Sequence, residues 1–345
     1  MFRPLEGVRV LDLSRVLAGP YTAKLLMDLG ATVLRVEAPW GDDTRGWGPP
    51  FTEIEKEQVA AYWTSVNLGK SVIRKNLNKG SDLRDVKKLI SDSDIIIENF
   101  RPGKSEQWFG SWPENAIVCN ISAYGKDGPR SREGGYDIVM QARSGLMSIT
   151  GDEKGNTAKV GVAVIDVATG LHASSAILSA LYRRERDGIG AKLSLSLWDC
   201  ALDLLVNQAQ NTIISGNSPT TMGTSHPNLV PYRAYTTLDG EFVIAVGSDN
   251  QWTKLVKALQ LEIPEGSDWS KNSQRVVDRK LVDELISKSV SQLKSIELET
   301  LLDGIPCSPV NSINQALSDL HSIERGVMDS TAGINHVSSP HRFHS

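Results

Sequence analysis

A chain of 345 residues, 40% apolar and 23% charged, has the length and composition to bury a full core in one large or two moderate domains. Its net charge of −4 argues against a general nucleic-acid binder, because neutralising phosphates needs a basic surface. No apolar run reaches the roughly 20 residues of a membrane span, and no signal peptide precedes the first strand. Cys119, Cys200 and Cys307 lie far apart without metal spacing and read as reduced thiols of an intracellular protein, in the cytoplasm or the mitochondrial matrix.

Residues 8–13, VRVLDL, form a strand rich in branched side chains. A loop follows, and TAKLLMDLG carries Ala23, Leu26 and Leu29 at helical spacing up to Gly30. ATVLRVE, 31–37, is a second strand, completing a β-α-β unit and implying a parallel sheet. Residues 83–90 read as a helix, 94–98 as a buried strand and 116–121 as another strand. This alternation defines an α/β class. After the polar loop 151–157, a short apolar run leads into a long helix over about 167–186, with Leu171, Ser174, Leu178 and Leu181 on its inner face. Residues 192–199 alternate like a strand. A polar, turn-rich stretch at 212–224 marks a boundary. Beyond it come a strand at 241–248 and helices within 250–302.

The first β-α-β unit invites a dinucleotide-binding reading, with Glu37 where a ribose-binding acid belongs. The loop from Arg15 to Pro20 has one glycine where that fingerprint needs three, and Pro20 removes a backbone donor. The helix start it forms can still hold a phosphorylated group. Asp166 sits where the run GVAVI meets the long helix. Aspartate is a preferred N-cap, so capping and nucleophilic roles both stay open from the pattern alone. If its carboxylate faces a cleft, the helix field is expected to keep it ionised. Gly170, one turn on, admits a ligand or a second backbone. Gly134-Gly135-Tyr136-Asp137 is either a chain passing close to a ligand or a turn with Asp137 as cap. Asn99-Phe100-Arg101-Pro102-Gly103 closes a strand at the edge where open α/β sheets bind ligands. His172 and His226 have no metal-ligand partner at useful spacing and read as structural or surface residues.

Taken together, positions 4–39, 41–51, 98–103, 134–151, 159–173 and 304–312 resemble, in order, the family III CoA-transferases, most closely the succinyl-CoA:dicarboxylate (glutarate) branch. The resemblance implies a Rossmann-like large domain with a parallel sheet plus a smaller α+β domain. These fall at 1–211 and 225–315, with 316–345 a shortened segment returning to the large domain. It implies an interlocked homodimer and no permanently bound cofactor or metal, with an acyl-CoA thioester and a free carboxylic acid as substrates. The family's catalytic aspartate falls on Asp166. Its CoA contacts fall on Val16, Leu17, Ala18, Asn99 and Phe100, its thioester end on Tyr136, and Arg45 is a candidate for an anionic group. Ala38 and Gln107 stand where formyl-CoA transferase carries basic residues, so some phosphate contacts differ. The rival on the same fold, an acyl-CoA racemase, has a histidine where Tyr136 stands. An ordinary phenol, with a pKa of about 10, is a poor proton shuttle at neutral pH. A CoA-binding protein without catalysis and a nucleotide-dependent dehydrogenase are the alternatives of other kinds.

Overall fold

The computed structural model describes residues 3–343. Met1 and Phe2 before the first strand, and His344 and Ser345 at the end of the expected C-terminal segment, lie outside the described residues. The chain divides into two compact units. The first holds the residues up to Met147, Lys159–Pro219 and the chain from Arg325; the second holds Ser148–Ala158 and Thr220–Glu324. The loop around residue 151 thus belongs with the second unit, and the return to the first begins at Arg325.

The first unit is built on six parallel strands in the spatial order Ser71–Arg74, Thr32–Glu37, Arg9–Asp12, Ile95–Glu98, Ile117–Ser122 and Ala191–Ser196. This is the 3-2-1-4-5-6 order of a doubly wound sheet. The strands are apolar on both sides because helices cover both faces. Val10, Val33, Ile95, Ile97, Ile117 and Ile121 pack on one side with Leu26, Ala173 and Ile177 from helices Ala18–Asp28 and Val164–Asp187. Leu11, Val36, Ile96 and Val118 pack on the other with Val86, Ile90 and Phe109, from helices Gly80–Ser91 and Lys104–Phe109. The edge strand Ser71–Arg74 escapes the sequence reading, because its four half-polar residues carry little periodic signal.

Four expectations need correction. The long helix starts at Val164, three residues before the expected 167. Its inner face is Ala173, Ser174, Ile177, Ala180 and Leu181; Leu171 is exposed. By length and hydropathy this helix could also cross a bilayer, which the expectation of no such run overlooked, although 44% of its most apolar stretch is buried inside the protein. Residues 197–199, expected at the end of a strand, open the helix Leu197–Asp203.

The second unit holds an antiparallel sheet ordered Cys307–Pro309, Glu241–Ala245, Tyr232–Thr236. Phe242 and Ile244 pack there with Trp252, Leu255, Val282 and Ile286. In the first unit, Met328–Thr331 and Ile334–Val337 form a hairpin.

Candidate active site

A doubly wound sheet leaves a crevice where the crossovers leave its central strands in opposite directions. Here those strands are Arg9–Asp12 and Ile95–Glu98, and the loops leaving their carboxyl ends carry Arg15–Ala18 and Asn99–Pro102. Together with residues 131–136 and Asp166 these loops line a cleft of about 610 Å³. Seven of the eight residues singled out from the sequence therefore share one cleft: Val16, Leu17, Ala18, Asn99, Phe100, Tyr136 and Asp166. Tyr136 is 60% exposed there, and Asp166 only 8%.

Arg45 is not among the residues lining this cleft. Its guanidinium is spent on Glu37 at 2.7 Å and Glu57 at 3.2 Å, and lies 4.0 Å over the ring of Trp63. Glu37 is likewise engaged within the protein. It accepts from Arg35 and Trp63 as well as Arg45.

Asp166 does not cap its helix. It is the third helical residue, and the capping is done from elsewhere: Asp137 Oδ1 accepts the amide hydrogens of Ile165 at 2.7 Å and Asp166 at 3.3 Å. Asp137 is itself held by Gln141 Nε2 at 2.6 Å, and Gln141 Oε1 accepts from the Val160 amide at 2.9 Å. A helix N-terminus leaves its first amides without intrahelical partners, and here a neighbouring helix supplies the acceptor. The consequence reverses the expected electrostatics. The favourable end of the helix is answered by Asp137, and Asp166 is left buried beside a second carboxylate. Burial first, and the charge of Asp137 second, push the Asp166 carboxyl up to about 7. Such a group is available as carboxylate at neutral pH and is a stronger base, hence a stronger nucleophile, than an ordinary aspartate.

Tyr62 is a neighbour the sequence did not reveal. Burial, then the charges of Asp166, Asp137 and Asp42, raise its phenol to about 12, so it stays a neutral hydrogen-bond donor. A single tyrosine in the stretch AYWTS carries no signal for this.

Opposite Asp166, the helix Ala18–Asp28 begins at Leu17 without a side-chain cap. Its first amides are free for an anionic group of a ligand. Gly170 serves this helix instead of the ligand. A Cβ there would lie 2.7 Å from the Tyr21 ring and 3.2 Å from the Ala18 carbonyl, so glycine lets the two helices close up. A second cavity, about 260 Å³, adjoins the same loops and is lined by Ala38, Trp40, Trp108 and Phe100, with Arg15, Lys75, Arg101 and Lys104 as its cations. Gln107 accepts from Lys104 at 3.0 Å. His172 pairs with Asp203 at 3.2 Å, and His226 accepts from the Asn228 amide, so both are structural contacts. Among the described residues no group of His, Cys, Asp and Glu has a metal-binding arrangement.

The doubly wound sheet, the cleft at its switch point and the buried carboxylate define an α/β protein with a ligand-sized cleft and an acidic group within it. Comparison with known proteins makes this specific. The pattern of CoA-transferase family III matches residues 5–344. The chain is 37% identical, over 94% of its length and 84% of the relative's, to the succinate–glutarate CoA-transferase of Agrobacterium fabrum. It is 39% identical, over 94% of its length and 76% of the relative's, to the succinyl-CoA:glutarate CoA-transferase of Mus musculus. A CAIB/BAIF family protein from Brucella suis superposes with a TM-score of 0.89 at 37% identity, covering 99% of this chain and 93% of that one. The chain belongs to CoA-transferase family III and is a CoA-transferase.

Proposed function

We propose that this CoA-transferase moves CoA from succinyl-CoA to a dicarboxylic acid such as glutarate through a covalent intermediate on Asp166. The observation that carries the reading is the buried carboxylate in the cleft, with no ion pair to a described residue and a pKa of about 7. Asp166 attacks the thioester carbonyl, the C–S bond breaks, and CoA leaves as thiolate, giving a mixed anhydride. The thiolate attacks the aspartyl carbonyl of that anhydride, releasing succinate and leaving an aspartyl-CoA thioester. The acceptor carboxylate attacks this thioester and expels the thiolate. The thiolate then attacks the acceptor's acyl carbon, forming the product and freeing Asp166. Splitting the exchange into acyl transfers between similar groups keeps each barrier low.

The CoA moiety is read by the backbone of Val16–Ala18, by Phe100, and by the aromatic groove, where Lys104 offers charge that Ala38 cannot. The diacid's second carboxylate needs a cation. Arg132 lines the cleft and forms no ion pair with a described residue. The relatives named for glutarate support a diacid acceptor. We also read the chain as an interlocked homodimer, for which helix Val206–Ser215 offers exposed Val206, Ile213 and Ile214. The deciding experiment incubates the protein with succinyl-CoA and a panel of free acids and follows it by intact-protein mass spectrometry. A hydroxylamine-sensitive adduct on Asp166 and CoA transfer to glutarate are expected. An Asp166→Ala variant that transfers CoA as fast as the parent overturns the mechanism.

A further inference from the structure

Val16 adopts a φ of 69°, in the left-handed region that a β-branched residue avoids. Side chains from two distant loops hold it there. The Val16 amide donates to Asp42 Oδ2 at 3.2 Å. The preceding residue is gripped by Asn99, whose Oδ1 accepts from the Arg15 amide at 2.9 Å and whose Nδ2 donates to the Arg15 carbonyl at 2.9 Å. Asp42 cannot swing away. Its Oδ2 also accepts from Arg35 Nη2 at 2.6 Å, and its Oδ1 accepts from the Thr44 amide at 2.9 Å and hydroxyl at 2.6 Å. Arg35 is anchored in turn by Asp12 at 2.8 Å and Glu37 at 3.1 Å. Asp42 does not line the cleft that holds Asp166, whereas Val16 does.

Building on the Asp166 reading, we infer that Asp42 and Asn99 are positioning residues. They impose the left-handed turn at Val16, and so aim the backbone of Leu17 and Ala18 at the acyl group beside Asp166. Without the clamp, valine relaxes toward the extended region, and the uncapped amides of the helix start rotate away from the reacting carbonyl. Glycine at this position adopts the same φ freely. It therefore separates an imposed conformation from mere packing.

The test compares kcat and KM for succinyl-CoA-dependent transfer, with thermal melting of each variant. The panel is the parent, Asp42→Ala, Asn99→Ala, each of these combined with Val16→Gly, and Asp166→Ala. Each clamp variant is expected to lose about 10- to 100-fold in kcat/KM, mostly in kcat, the scale of misplaced but intact catalytic groups. Adding Val16→Gly should recover at least severalfold of that loss. Folded clamp variants with parental kcat/KM overturn the inference, as do clamp variants that Val16→Gly does not improve. If Asp42→Ala does not fold, the half-buried Asn99 pair decides alone. An active Asp166→Ala removes the underlying mechanism whatever the clamp variants do; an inactive one beside unimpaired clamp variants removes only the positioning role.

Discussion

Two groups of buried carboxylates lie in the same unit and meet opposite fates. In the first, Asp12, Glu37 and Asp42 are interleaved with Arg35, Lys70 and Arg45, so three negative charges meet three positive ones. Burial alone would raise Asp12, yet Lys70 and Arg35 outweigh it and hold the carboxyl at about 2. In the second, Asp166 is also buried, but its charged neighbour is Asp137, and the carboxyl rises to about 7. Burial is common to both; the sign of the partner decides. The first arrangement is a rigid support, and the second is a strained, reactive one. Strain at the reacting group and its relief elsewhere are what an active site on a stable scaffold requires.

This contrast can be broken at either end. The largest effect expected is on activity: Asp166→Ala should lower CoA transfer by about 10³-fold or more, as for loss of any covalent nucleophile, measured by thioester exchange. Arg35→Met should destabilise the fold by about 3–5 kcal/mol in urea unfolding, because it leaves three buried carboxylates short of a partner. Asp166→Asn should do the reverse. At pH 8 the parent holds an ionised Asp166 against its surroundings. Its carboxyl pKa of about 7, set against an ordinary value near 3.8, bounds this cost at about 4 kcal/mol, so a gain of about 1–3 kcal/mol is expected.

The pH dependences of the two regions also oppose each other. Between about pH 4 and 7 the folded state binds the extra proton at Asp166, so this group makes the parent less stable as pH rises, and Asp166→Asn should flatten that slope. Asp12 titrates lower when folded, so its contribution is present above about pH 4 and lost as pH falls toward 2. Melting temperatures across pH 2–8 check both signs. The smallest effect concerns packing: Gly170→Ala should cost about 1–3 kcal/mol by overpacking against Tyr21 and the Ala18 carbonyl.

Much of the scaffold is written locally. Branched residues in 8–13, 31–37, 94–98 and 116–121 are apolar on both sides, and only a sheet covered on both faces buries them all. The glycine-poor loop at 15–20 counted against a nucleotide-dependent dehydrogenase. Asp166 could be singled out, although the pattern alone could not tell a cap from a nucleophile. Asp137, 29 positions away, accepts the amide hydrogens of Ile165 and Asp166 at the helix start, so Asp166 lies inside the helix and is not its cap. The conformation of Val16 was equally hidden, since Asp42 and Asn99 come from separate loops. Arg45 shows the converse: its charge and position in the sequence suggested an anionic ligand, but Glu37 and Glu57 already occupy it.

The sequence by itself determined the alternation of strands and helices and the strand-to-helix junction at which the acidic Asp166 sits, because each depends on neighbours within a few positions. Only the tertiary structure decided the charge state of that acid and the shape of the loop facing it. Both depend on which charges and amides are brought within about 3 Å from distant parts of the chain, and electrostatic energy in a buried site is set by those distances.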